Sequence, residues 1–137
     1  MRSFFDTNVL VYLFDSETPG KKKKAEALLA AEVKNGNALI STQVLQEFYV
    51  SVTRKLAKPL PRKEAYEALL HLSKLPLVTV DASLILESAR LVEKRSISFW
   101  DALIVCSALR GGSVRIYSED MQDGEKFNGL KIENPLK

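Results

Sequence analysis

Short apolar runs bounded by turn formers recur along this chain, and longer stretches with helical spacing lie between them. Ser3–Phe5, Ala38–Ile40, Leu77–Val80 and Val114–Tyr117 have the length and character of buried strands. Lys21–Lys34 is built from helix formers and stops at Asn35-Gly36-Asn37. Ser41 and Thr42 are good caps for a helix from about Gln43 to Leu56, in which Val44, Phe48 and Val52 form one apolar stripe. Pro59 and Pro61 end that helix and start another, carrying Ala65, Leu69 and Leu72 and stopping at Pro76. Asp81 caps a helix through Lys94-Arg95. Ser98 caps a further one whose Ala102, Val105, Cys106 and Leu109 share a face until Gly111-Gly112. Val9–Phe14 reads as either more strand or a short helix, broken at Pro19-Gly20, and Leu130–Ile132 is a candidate fifth strand.

Such alternation predicts an α/β fold: a mostly parallel sheet of four or five strands with helices on both faces. At 137 residues, without repeats or linkers, residues 1–137 read as a single domain. In sheets of this kind ligands bind beyond the carboxyl ends of the strands, so the residues following each strand are the ones to inspect.

Composition narrows the chemistry. There is one cysteine, Cys106, and one histidine, His71, too few for a structural zinc site. Cys106 lies on an apolar stripe and reads as core, and His71 has no partner at metal-ligand spacing. No apolar run approaches the ~20 residues of a membrane-spanning helix. Asp6 interrupts the apolar start, which argues against a signal peptide, and a lone cysteine suits a reducing compartment; a cytoplasmic protein is expected. The net charge is +3, and the excess lies in residues 1–68, with eleven basic and eight acidic side chains. Working groups are therefore expected among carboxylates, hydroxyls, lysines and arginines.

Four acids fall where a site would form. Asp6 directly follows the first strand and Asp120 lies just beyond the fourth. Glu47 sits early in the helix after the second strand, and Asp101 occupies the first turn of the helix begun by Ser98. Converging carboxylates repel one another, and a hard cation such as Mg²⁺ or Mn²⁺ relieves that repulsion. A bound metal acidifies water and neutralises a phosphate under attack, with no need of histidine. Each acid also has an ordinary reading. Asp6 and Asn8 are turn formers, Asp101 completes a near capping box with Ser98, Glu47 can be a solvated helix residue, and Asp120 and Asp123 can be turn aspartates.

Taken together, four blocks resemble PIN-domain ribonucleases, in particular the short toxins of the VapC type. They are Phe4-Phe5-Asp6-Thr7-Asn8-Val9-Leu10, Ser41–Phe48 with Glu47, Ser98–Ile104 with Asp101, and Tyr117-Ser118-Glu119-Asp120-Met121, in the family's order and across most of the chain. The resemblance implies a Rossmann-like three-layer α/β/α sandwich and a metal-dependent ribonuclease of RNA phosphodiesters. In it, Asp6, Asp101 and Asp120 anchor Mg²⁺ or Mn²⁺, and Glu47 binds or orients a metal-bound water. Thr7, Asn8 and Ser118 match supporting polar positions, Ser118 replacing a more usual threonine, and Asp123 stands where some members carry an additional acid. Arg54 and Lys55 are the best placed basic residues to guide RNA. Phe99 and Trp100 flank Asp101 and are expected to pack rather than to stack on a base. A small antitoxin protein and a homodimer are the implied partners, the latter through Val44, Leu45, Phe48, Tyr49 and Val52. Alternatives are a housekeeping RNA-processing nuclease and a non-catalytic RNA-binding module. A phosphotransferase with Asp6 as nucleophile is disfavoured because Asn8 stands where a second aspartate is usual.

Overall fold

A computed structural model describes residues 1–137 throughout. One six-stranded sheet organises the molecule: β1 (Arg2–Phe5), β2 (Ala38–Ser41), β3 (Leu77–Val78), β4 (Ser113–Tyr117), β5 (Lys126–Phe127) and β6 (Leu130–Glu133), in the spatial order β3-β2-β1-β4-β6-β5. β3, β2, β1, β4 and β6 pair in parallel; β5 alone is antiparallel, against β6. Phe4 and Phe5 point to opposite faces of β1 and both are fully buried, so helices must cover both faces of the sheet.

Six helices do so: α1 (Thr7–Val11), α2 (Pro19–Lys34), α3 (Thr42–Arg54), α4 (Arg62–Leu72), α5 (Ala82–Lys94) and α6 (Phe99–Arg110). The mostly parallel sheet with helices on both faces expected from the alternation is present, as is the Rossmann-like sandwich implied by the resemblance, with three local differences. The ambiguous Val9–Phe14 segment is helical, α1 running into a single 3₁₀ turn over Tyr12–Phe14. Pro19 opens α2 rather than breaking the chain, because a proline at the first helical position lacks only an N–H that would have had no partner there. The sheet has six strands rather than four or five. β5 and β6 form a hairpin across Asn128-Gly129, whose φ values of 50° and 85° are those a tight primed turn demands. β3 also ends earlier than Val80, since the Val80 N–H donates to Thr42 Oγ1 at 3.0 Å instead of to a neighbouring strand.

Two features fix the ends of elements near the sheet's carboxyl edge. Ala102 to Ala108 of α6 are all buried, so α6 is sunk into the core and its first turn cannot drift. After α6 the chain turns at Gly111, where a Cβ would lie 2.2 Å from Leu39 Cδ2 on β2; only glycine permits this approach without displacing Leu39. The apolar stripe of α3 packs inside this chain. Val44, Phe48 and Val52 are fully buried, which removes them as a surface for a second subunit. His71 is exposed with Nδ1 2.8 Å from the Glu67 carbonyl, and Cys106 is buried.

Candidate active site

The strand order reverses at β1, with β2 and β3 on one side and β4, β6 and β5 on the other. At such a switch point the loops leaving the two central strands diverge and open a crevice. Here β1 pairs with β4 so that Phe5 lies opposite Tyr117, and the next residue of each strand is therefore Asp6 beside Ser118.

Asp6 is held by three donors. Its Oδ1 accepts from the Thr7 N–H at 2.8 Å; its Oδ2 accepts from Ser118 Oγ at 2.8 Å and from Asn8 Nδ2 at 3.1 Å. Asn8 reaches further, donating to Asp120 Oδ2 at 3.3 Å while its Oδ1 accepts the Glu119 N–H at 2.9 Å. The short turn after β1 is thereby tied to the loop after β4, and Asp6 and Asp120 share one bridging amide. On the other wall, Ser41 caps α3 through the Val44 N–H and sets the direction of the helix. One turn on, Glu47 is gripped at both oxygens, by Thr7 Oγ1 at 2.7 Å and by Gln43 Nε2 at 3.3 Å. Gln43 Nε2 also donates to the Trp100 carbonyl at 3.3 Å, linking α3 to the start of α6. Asp101 stands there, its N–H on the capping Ser98 Oγ at 3.0 Å. Asp6, Glu47, Asp101 and Asp120 thus line a single cleft of about 780 Å³.

The cleft is electrostatically unfinished. Each of the protein's six ion pairs involves other acids; none of these four has a lysine or arginine against it. Burial pushes the Asp6 carboxyl up to about 6, despite the Ser118 and Thr7 hydrogen bonds that favour its charged form, and the charges of Glu47 and Asp101 add to the rise. Asp101 is raised as well, by partial burial first and then by Asp120 and Glu47. The donors are all oxygens, the set preferred by hard divalent cations. One further oxygen, Oε1 of the buried Gln43, has no hydrogen-bond partner. No three acids converge closely enough to form a closed metal cage. The arrangement instead suits an ion that keeps several of its waters between itself and the carboxylates.

Residues 3–122 match the PIN domain family. The chain belongs to that family. Comparison with curated protein sequences finds no match. Solved structures similar to this PIN domain include the Mycobacterium tuberculosis VapC20, described as a sarcin-ricin loop cleaving toxin, at 22% identity and a TM-score of 0.69, covering 94% of this chain and 98% of that one. A toxin–antitoxin complex from Klebsiella pneumoniae is similar at 18% identity and a TM-score of 0.68, covering 93% and 94%. VapBC2 from Rickettsia felis, bound to a fragment of promoter DNA, is similar at 20% identity and a TM-score of 0.70, covering 97% and 98%. At these identities the likeness is one of fold.

The remaining sequence candidates of the PIN domain divide. Thr7, Asn8 and Ser118 touch the acids directly, as described. Lys55 lines the cleft, the one cation to do so, whereas Arg54 is exposed outside its lining. Asp123 is not part of it: its carboxylate accepts from the Asn134 N–H at 2.9 Å and pairs with Lys137. Phe99 is half-buried against the core as expected, but Trp100 is 62% exposed and lines the cleft.

Some cleft residues were not singled out by sequence. Gln43 is one; its placement four residues before Glu47 on a helix was the available signal. Tyr12 and Glu119 are others. Glu119 takes a hydrogen bond from Tyr12 and an ion pair with Lys21 Nζ at 2.6 Å. Partial burial would raise the Glu119 carboxyl, but Lys21 and Tyr12 outweigh it and hold the group below its usual range. That network braces the loop carrying Asp120.

Proposed function

We propose that this PIN domain is a metal-dependent endoribonuclease and the toxin of a toxin–antitoxin pair. The observation that carries the nuclease reading is that Asp6, Glu47, Asp101 and Asp120 line one cleft and none of them is held in an ion pair. Such a set destabilises the fold unless something positive occupies the cleft.

Asp6, Asp101 and Asp120 would hold Mg²⁺ or Mn²⁺ in this reading. When bound, the metal lowers the pKa of a coordinated water and neutralises charge on the phosphate being displaced. The chain's own groups do the rest. Ser118 and Asn8 fix the Asp6 carboxylate by donating to Oδ2, which favours its ionised form and leaves Oδ1 with only the Thr7 N–H. Glu47, held at both oxygens by Thr7 and Gln43, is rigid enough to orient an attacking water by accepting its proton as a hydrogen bond. Lys55, an exposed side chain in the cleft's lining, offsets the repulsion between an RNA phosphate and the acids, with the neighbouring Arg54 extending the basic approach.

The toxin reading rests on the fold shared with the toxins above and on the chain's length, which they match almost completely. It brings with it an antitoxin that covers the acidic cleft, pairing with a second copy as a homodimer, and a cytoplasmic site of action. No helix is long and apolar enough to cross a membrane. The test is expression of the wild type and of Asp6→Asn in a bacterial host, with sequencing of RNA 5′ ends. Growth arrest and defined new ends with wild type alone support the proposal. Defined ends without arrest favour a housekeeping processing enzyme, and neither effect argues for a non-catalytic module.

A further inference from the structure

We infer that Trp100 is a stacking platform for an unpaired nucleobase of the substrate, placed beside the scissile position; this rests on the ribonuclease reading above. Trp100 is 62% exposed, and of the chain's exposed large apolar side chains only Trp100 and Val50 line the cleft, Trp100 being the aromatic one. The exposure is not slack. The residue occupies the first turn of α6, the helix sunk in the core, and its carbonyl accepts from Gln43 Nε2 at 3.3 Å. Phe99 braces the ring edge-on, with centroids 5.2 Å apart and planes 78° apart. Such an edge contact leaves an indole face open.

Position decides what lands there. Trp100 directly precedes Asp101, and both line the cleft with Lys55. A phosphate brought to the carboxylates therefore places a neighbouring base within reach of the indole. Recognition of single-stranded RNA commonly splays bases out onto aromatic rings, because every base has a π face. The indole is also tied to the carboxylates themselves, since the Gln43 amide that holds the Trp100 carbonyl also grips Glu47. A base, flat and polar at its edge, matches one ring set among polar groups.

Trp100 is the sole tryptophan, so its fluorescence reports on this one position. The experiment titrates an end-labelled 12-nucleotide single-stranded RNA into the full chain carrying Glu47→Gln, which keeps the three acids proposed to hold the metal, with Mg²⁺ present, reading label anisotropy and indole emission together. The same RNA with abasic sites serves as the control. The expected result is indole quenching that tracks binding and is lost with the abasic strand. Trp100→Ala should weaken binding about 5- to 150-fold at an unchanged melting temperature, and Trp100→Tyr should restore most of it. Binding by anisotropy with no quenching and no loss in Trp100→Ala overturns the stacking role while leaving the nuclease reading intact. Absence of any RNA binding, together with absence of cleavage by the wild type, overturns both. Quenching only by a protein partner co-expressed with the chain overturns the base assignment in favour of a protein contact.

Discussion

Replacing Asp6 with asparagine should make this protein more stable as well as inactive. Asp6 is almost wholly buried, and its carboxyl titrates near 6 in the folded chain against an ordinary 3.8. Below 3.8 the group is neutral in both states and costs nothing. Between 3.8 and about 6 the unfolded chain releases its proton while the folded chain keeps it, so stability falls as pH rises. Above that window the full penalty stands, about 3 kcal/mol at pH 7 by the usual ~1.4 kcal/mol per pH unit. Asparagine removes the charge. It also leaves one oxygen where three donors converge, Thr7 N–H, Ser118 Oγ and Asn8 Nδ2, and rearranging one or two of those bonds costs roughly 0.5–1.5 kcal/mol each. The net expectation is a gain of about 1–2 kcal/mol at pH 7 in EDTA, a rise in Tm of roughly 3–10 °C for a chain of this size. Urea unfolding from pH 3.5 to 8 measures it: the stability difference between Asp6→Asn and the wild type should grow in favour of the mutant by about 3 kcal/mol between pH 4 and pH 7. A mutant less stable than wild type at pH 7, with the same pH slope, would refute the claim that Asp6 is a buried, uncompensated charge.

A divalent cation should reverse the penalty. Mn²⁺ at about 100 times its dissociation constant should stabilise the wild type by ~2.7 kcal/mol and Asp6→Asn far less, read as the Tm difference between Mn²⁺ and EDTA. Gln43→Leu frees one oxygen of Glu47 and unlinks α3 from α6; metal affinity or cleavage should fall about 10- to 100-fold, by calorimetry or initial rates, with the fold retained. Gly111→Ala drives a Cβ into Leu39 Cδ2 and should cost roughly 1–3 kcal/mol in chemical unfolding, without altering metal binding.

Much of this site is written locally in the chain. Asp6 and Ser118 each follow a short apolar run directly, and the switch-point rule brings those positions together whatever the intervening sequence. Asp101 is legible as the third residue after its cap, because Ser98 sets the start of α6. The misses have different physical origins. β5 is two residues long and offers almost no periodicity, yet Asn128-Gly129 is the dipeptide that a tight hairpin favours and is the one local signal for the sixth strand. Asp123 has the sequence context of a site acid, but its side chain is spent on the Asn134 backbone and Lys137, which only the folded loop reveals. The Tyr12–Lys21–Glu119 network joins positions about a hundred residues apart and has no local signal at all. Trp100 departs from the packing expected of it for a subtler reason. A large aromatic beside a buried helix normally packs, but here the neighbouring Phe99 takes the core-facing position and turns Trp100 outward into the cleft.

The central claim is that four uncompensated carboxylates make a metal site that cuts RNA. Its most direct test is cleavage of a single-stranded RNA by the purified chain with Mg²⁺ or Mn²⁺, with EDTA, and as Asp6→Asn and Asp123→Asn. The account predicts defined fragments only with the metal, loss of cleavage in Asp6→Asn, and cleavage retained in Asp123→Asn, whose side chain lies outside the cleft. Fragments formed equally well in EDTA, or by Asp6→Asn with the metal present, would contradict it.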